Sequence, residues 1–263
     1  MSGDCCLVSP LTVPLLSAAS LAISPGAHVR DEGVVYTVWA PDHEEVKVRV
    51  RLTGGAEDIL VMTPQANGYF SFGDRKGGAG DRCAFLLGHR SPLPDPASRF
   101  QPDGVHGWPE CVDPRSYPWR CHDWQRPKWR GQSIYEIYVG TFTPAGTFRA
   151  EIERLDHVAS LGVDAIELMP VADFPGRRNW GYDGVALFAP ARCYGWPDLR
   201  ALIDAAYERE LAVILDVVYN HLGPDGNYLT QFARSYFHFD RETPWGQGFN
   251  LDERKRSRFG ISF

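Results

Sequence analysis

What the chain lacks narrows it first. It has no excess of positive charge: 27 Lys and Arg stand against 33 Asp and Glu, giving a net charge of −6 and a pI near 5.7. That balance offers no electrostatic footprint for nucleic acid or an anionic membrane, so neither is expected as a partner. It has no C-x-x-C pair. Its cysteines, Cys5, Cys6, Cys83, Cys111, Cys121 and Cys193, read as buried thiols of a reducing compartment, and a cytoplasmic location is expected. Cys111, Cys121 and His122 could offer ligands to zinc, but their spacing fits no common site; no metal and no cofactor is expected. The chain also lacks an unbroken apolar run that could span a bilayer. LVSPLTVPLLSAASLAI (7–23) is apolar, yet Pro10 and Pro14 interrupt it and no basic segment precedes it, as a signal peptide would require. Residues 1–27 therefore read as a poorly ordered leader.

What is present is aromatic and β-rich at the front. Aromatic residues make up 13% of the chain, with 8 Trp; such rings fill cores and also stack on the apolar faces of sugars. Between 28 and 90, VVYTVWAP (34–41), VKVRVRL (46–52), ILVMT (59–63) and YFSF (69–72) alternate or cluster as short strands. Gly54-Gly55, Asn67-Gly68 and the stretch from Gly77 to Asp81 punctuate them at hairpin spacing. This pattern predicts a small antiparallel β-sandwich of the immunoglobulin-like kind. Residues 91–131 form a Pro- and Trp-rich connector, too proline-rich for helix and too aromatic for a solvated linker. It is expected to pack across both neighbouring units.

From 132 to 252 the rhythm becomes that of βαβ units. SIYEIYVG (133–140), DAIELMP (164–170) and LAVILDVVYN (211–220) read as buried strands. Between them, residues 149–161 carry Ile152, Leu155, Val158 and Leu161 at helical spacing; residues 197–210 carry Leu199, Leu202, Ile203, Ala206 and Tyr207 on one face. Strand, helix, strand, long loop, helix, strand predicts a parallel sheet, the first part of a TIM-type (β/α)8 barrel.

Two motifs stand out within it. Asp216 lies in an otherwise apolar strand, where burial is costly unless something pairs with it. It shares parity with Asn220, and His221 falls where that strand meets its loop. Polar groups at the C-terminal ends of barrel strands are usually site residues, although an Asp neutralised by a neighbouring Arg would serve structure alone. FPGRRNWGYDG (174–184) places Trp180 and Tyr182 on either side of a glycine, so that both rings can face a groove, or can simply anchor the loop.

LDVVYNH (215–221) resembles the first conserved region of the α-amylase clan of glycoside hydrolases, and NWGYDG resembles that clan's loop with a sugar-stacking tyrosine. PDPASRFQPDGVHG (94–107), EIYVGTFTPAGTF (136–148) and IELMPVADFPGRRNWGYDG (166–184) look like the malto-oligosyltrehalose trehalohydrolase branch. The resemblance runs from about 26 to 252. It implies release of trehalose from maltooligosyltrehalose or a related α-glucan by a retaining mechanism, with two carboxylates roughly 5–5.5 Å apart. It further implies that Tyr182 stacks on the sugar, with Trp180 beside it. His221 would hydrogen-bond that sugar, and Asp216 would orient an arginine from a later strand. Asn220 is a calcium ligand in many of the clan's amylases, but the trehalohydrolase branch is not expected to need the ion.

In that clan the nucleophile, the acid and a third carboxylate follow strands four, five and seven. Residues 132–252 supply strands one to three, so no catalytic residue is assigned; the nucleophile and acid are expected beyond the C-terminus. Glu136 and Glu167 lie within predicted strands and do not form such a pair with Asp216. ERKRSRFGISF (253–263) departs from the family as a basic tail, which suggests a truncated member, inactive as it stands. The alternatives are a glycogen branching or debranching enzyme fragment, a non-catalytic glucan-binding module built on the sandwich and connector, or a degraded gene product.

Overall fold

The computed structural model describes residues 24–250 apart from 89–90, 126 and 129. The basic tail, Cys5, Cys6 and most of the expected leader lie outside the described residues; Gly26 and Ala27, assigned to the leader, already belong to a strand.

Seven strands form two antiparallel sheets at the front of the chain. One sheet has the order β1 (Gly26–Arg30), β2 (Gly33–Trp39), β6 (Tyr69–Asp74) and β5 (Thr63–Pro64). The other has the order β4 (Glu57–Val61), β3 (Val46–Arg51) and β7 (Arg82–Leu87). β1 and β7 were not expected. β1 begins inside the segment read as leader, and β7 is an RCAFLL run without alternation. The clearest sequence-to-structure step is β3: Val46, Val48 and Val50 are fully buried while Lys47, Arg49 and Arg51 face outward. Each buried valine contributes about 1.5–3 kcal/mol. Outside, Arg49 and Arg51 both donate to Glu57 of β4, at 2.6 and 2.7 Å. Inside, residues of both sheets share one core, centred on Tyr36, Trp39 and Phe85.

The connector bonds to both sides of the molecule. Cys111 N–H donates to Asp81 O (2.7 Å) and Arg115 pairs with Asp31 (2.6 Å) on the side of the front sheets. Farther along, Trp124 stacks on Tyr207, with centroids 4.0 Å apart. Trp196 Nε1–H donates to Arg99 O (2.6 Å).

The parallel sheet follows. β8 (Ile134–Ile137), β9 (Ala165–Leu168) and β12 (Ala212–Leu215) lie side by side in the order β12-β9-β8, both pairings parallel. Each strand is shorter than the sequence suggests. The third ends at Leu215, so Asp216 lies just beyond the strand rather than inside it. The cause is the neighbour: Asp216 N–H still donates to Leu168 O (2.9 Å), but Pro170 stands two residues past the end of β9 and has no N–H to offer a ladder. The shared parity expected for Asp216 and Asn220 is therefore not imposed by a strand, and His221 sits within the loop. After β8 the chain turns at once into α1 (Val139–Phe142). The single helix expected over 149–161 is two, α2 (Phe148–Ile152) and α3 (Leu155–Ser160), with a turn at Glu153–Arg154. Thr147 caps α2 by accepting from Ala150 N–H.

Between β9 and α4 (Asp198–Tyr207) lies an antiparallel hairpin, β10 (Ala172–Asp173) with β11 (Ala186–Pro190). After β12 come α5 (Leu229–Phe232) and a second hairpin, β13 (Phe237–Thr243) with β14 (Gly246–Phe249). The α5–β14 segment packs onto the two front sheets: Phe232 meets Phe85 edge-to-face at 6.1 Å, and Tyr236 meets Trp39 at 4.9 Å. A second core beneath the parallel sheet gathers Ile137, Phe148, Leu155, Ile166, Leu168 and Leu202.

Candidate functional site

The site is assembled at the C-terminal ends of the parallel strands, the end at which barrel enzymes place their chemistry. Here Pro170 and Val171 follow β9, and Asp216 to Tyr219 follow β12. Together with the β10–β11 hairpin they enclose a cleft of about 320 Å³ whose lining includes Asp216, Gly181 and Gly184. Asp216 is half-buried, and among the described residues it forms no ion pair. The reading of Asp216 as an aspartate neutralised by a neighbouring arginine therefore finds no arginine here.

The loop 174–184 closes the β10–β11 hairpin. Its base is fixed by Arg192, whose Nη1 donates to Asp173 (3.0 Å) and whose Nη2 donates to Gly176 O (3.2 Å). Burial raises the Asp173 pKa above its ordinary value, and the Arg192 charge opposes that shift. At the tip, the Asn179 side chain accepts from Gly181 N–H in an Asx turn, and Gly181 itself has a positive φ (95°) that glycine adopts without steric cost. Trp180 is 82% exposed and Tyr182 45% exposed. Both rings face solvent from that turn, outside the cleft's wall.

The loop after β12 is bonded directly to this one. Gly223 N–H donates to Gly184 O at 3.3 Å, and a Cβ on Gly223 would fall 2.5 Å from Asp183 O. Only glycine admits so close an approach. His221 stands two residues before this contact, with Nδ1 2.9 Å from Asn220 Oδ1. Asp216 and the Gly181 turn thus share one cleft, while His221 reaches the neighbourhood through the Gly223–Gly184 bond.

Glu136 and Glu167 are register partners on β8 and β9, within the strands rather than beyond their ends. Cys111 is buried in the core of the front sheets, whereas Cys121 Sγ lies 3.7 Å from Asp204 O on α4. Among the described residues no group of three His, Cys, Asp or Glu could hold a metal ion, and no helix is long and apolar enough to cross a membrane.

Sequence reasoning missed several residues of the site's framework. Tyr138 donates its hydroxyl to Asn179 O, and Arg192 clamps the loop base. The Asn-x-Gly spacing of Asn179 and Gly181 signals the turn; nothing in the sequence signals the two distant clamps.

The alpha-amylase catalytic-domain family model matches residues 100–253. The malto-oligosyltrehalose trehalohydrolase of Saccharolobus solfataricus is 43% identical over 229 residues, covering 87% of this chain and 40% of that protein. That of Deinococcus radiodurans is 45% identical over 228 residues, covering 86% and 37%. A 1,4-alpha-glucan branching enzyme from Corynebacterium jeikeium is more distant, at 29% over 225 residues, covering 79% and 31%. Among solved structures, a Salmonella typhimurium protein assigned as an alpha amylase matches with a TM-score of 0.82 at 44% identity, covering 90% of this chain and 40% of that one. A pullulanase from Anoxybacillus complexed with maltotetraose matches with a TM-score of 0.73, covering 92% of this chain and 42% of that one; at 23% identity it speaks for the fold alone. The chain spans about 40% of the length of the curated relatives it matches. Its matched catalytic-domain residues place the chain in the alpha-amylase family, where its sequence is similar to the malto-oligosyltrehalose trehalohydrolases.

Proposed function

We propose that these residues supply one wall of the α-glucan site of a trehalose-releasing glycoside hydrolase. The observation that supports this best is the cleft at the ends of β9 and β12. There Asp216, which has no ion-pair partner among the described residues, lines the same cleft as Gly181, the residue between Trp180 and Tyr182. In this reading Tyr182 stacks on a sugar, with Trp180 as a neighbouring platform, and His221 hydrogen-bonds the sugar. Asp216 orients a guanidinium supplied by a later strand of a whole barrel. Bond cleavage needs a nucleophile and an acid about 5–5.5 Å apart; residues 24–250 place no such pair in this cleft, so the chain alone binds but does not cleave. The front sheets act as an immunoglobulin-like sandwich bracing the barrel, and the free thiols among the described residues suit a cytoplasmic enzyme.

The lower identity of the branching enzyme favours the trehalohydrolase over that alternative. A glucan-binding module centred on the connector is disfavoured, because Trp108 is engaged by Arg51 and Trp124 by Tyr207.

The test is retention on amylose together with trehalose assay on maltooligosyltrehalose. We expect retention that Tyr182→Ala weakens, and no trehalose. Trehalose above buffer would overturn the claim of binding without cleavage; loss of retention in the unmutated chain would overturn the glucan wall.

A further inference from the structure

Tyr138 directly follows β8 and stands at the start of α1. Its hydroxyl donates to the carbonyl of Asn179, the residue whose side chain closes the Gly181 turn. The Tyr194 hydroxyl in turn donates to Tyr138 Oη at 3.4 Å. Tyr194 is itself fixed: it is buried and meets the rings of Phe148 and Phe174, each with centroids 5.9 Å away. Burial pushes its phenol pKa up, which keeps the proton in place as a donor. A line of hydrogen bonds therefore runs from the second core to the loop tip, through Tyr194, Tyr138 and Asn179.

We infer that Tyr138, tethered by Tyr194, is a positioning residue for the sugar platform: its hydroxyl holds the Asn179 peptide so that the Gly181 turn presents Tyr182 in one orientation. This rests on the stacking role proposed for Tyr182. The Tyr138 ring packs closely over Gly140, where an added Cβ would meet it at 3.3 Å. Phenylalanine therefore keeps the ring contacts and removes only the hydroxyl, with its bonds to Asn179 and Tyr194.

Arg177 and Arg178 immediately precede Asn179, so trypsin reads the loop tip directly. In the full 263-residue chain, Tyr138→Phe should speed cleavage there about fivefold, the size of the one lost bond that reaches the loop, to Asn179. The melting temperature should fall by no more than about a few degrees. The Kd for maltoheptaose should weaken by about the same factor. Tyr194→Phe, which leaves the Tyr138–Asn179 bond but frees its anchor, should fall between the two, and it supplies the reading if Tyr138→Phe does not fold. Unchanged cleavage at Arg177 and Arg178 overturns the inference. So does faster cleavage with unchanged Kd, in a chain whose Kd is weakened by Tyr182→Ala, because the hydroxyl would then serve the loop without serving the platform. If Tyr182→Ala leaves the Kd unchanged, it is the stacking reading that fails, and proteolysis alone decides on the clamp.

Discussion

Glu151 is a costly side chain to bury. It lies on α2, is 0% exposed, and neither carboxyl oxygen has a hydrogen-bond partner among the described residues. Burial raises its pKa to about 8, so at neutral pH it carries a proton. The folded value lies above the unfolded one, so the folded state holds more protons in between. Glu151's contribution to stability is therefore fully present below about pH 4.5 and is lost as pH rises through about 8. Asp95, raised to about 6 by burial, acts with the same sign over a lower window. Between pH 6 and 8 the decline should belong mainly to Glu151, with a slope of at most about 1.4 kcal/mol per pH unit. Urea denaturation across this range should show that slope in the unmutated chain and not in Glu151→Gln. Parallel pH profiles for the two proteins would mean that Glu151 is solvated in solution.

At the level of elements, α4 does more than cover the sheet. The face expected from Leu202 and Ala206 is buried, but Asp204 is buried with it. Asp204 accepts from the Arg120 side chain (3.0 Å), from Cys121 N–H (3.1 Å) and from Tyr117 (3.2 Å). Burial raises its pKa, but these bonds outweigh burial and leave it lowered. A barrel helix thus holds the connector through one carboxylate. Asp204→Ala removes the shared acceptor of these partly exposed donors, which costs about 1–3 kcal/mol. A urea midpoint within error of the unmutated protein would show that the connector is held by its stacked rings instead. Because the stabilising pKa is depressed, the Asp204 contribution should also fade as pH falls through the acid range, opposite in direction to that of Glu151.

For the whole molecule, the three-stranded sheet matters most. Ile134 on β8, Leu215 at the end of β12 and Val217 just beyond it are large apolar side chains that face solvent. Among the described residues β8 and β12 are paired on one side only. Open edges bearing apolar residues favour association. We expect concentration-dependent self-association of the 263-residue chain in sedimentation velocity, reduced by Leu215→Lys. A strictly monomeric species across the micromolar range would show that these edges are covered.

The sequence was a good guide where pattern is local. The alternation in VKVRVR marked β3 and its buried face, βαβ spacing marked the parallel sheet, and LDVVYNH with FPGRRNWGYDG marked the two loops that meet at the cleft. It misjudged strand ends, because where β12 stops depends on Pro170 in its neighbour, forty-odd residues earlier in the chain. It also missed the supports of the site. The hydroxyl of Tyr138 reaching Asn179, Arg192 bracing Asp173, and Asp204 holding the connector join residues far apart in the chain through hydrogen bonds. Periodicity records which side of an element is apolar; it carries no information on which distant polar group will be the partner, since that depends on how the elements pack. Residue order therefore marked the two loops of the cleft, and packing settled how they are held.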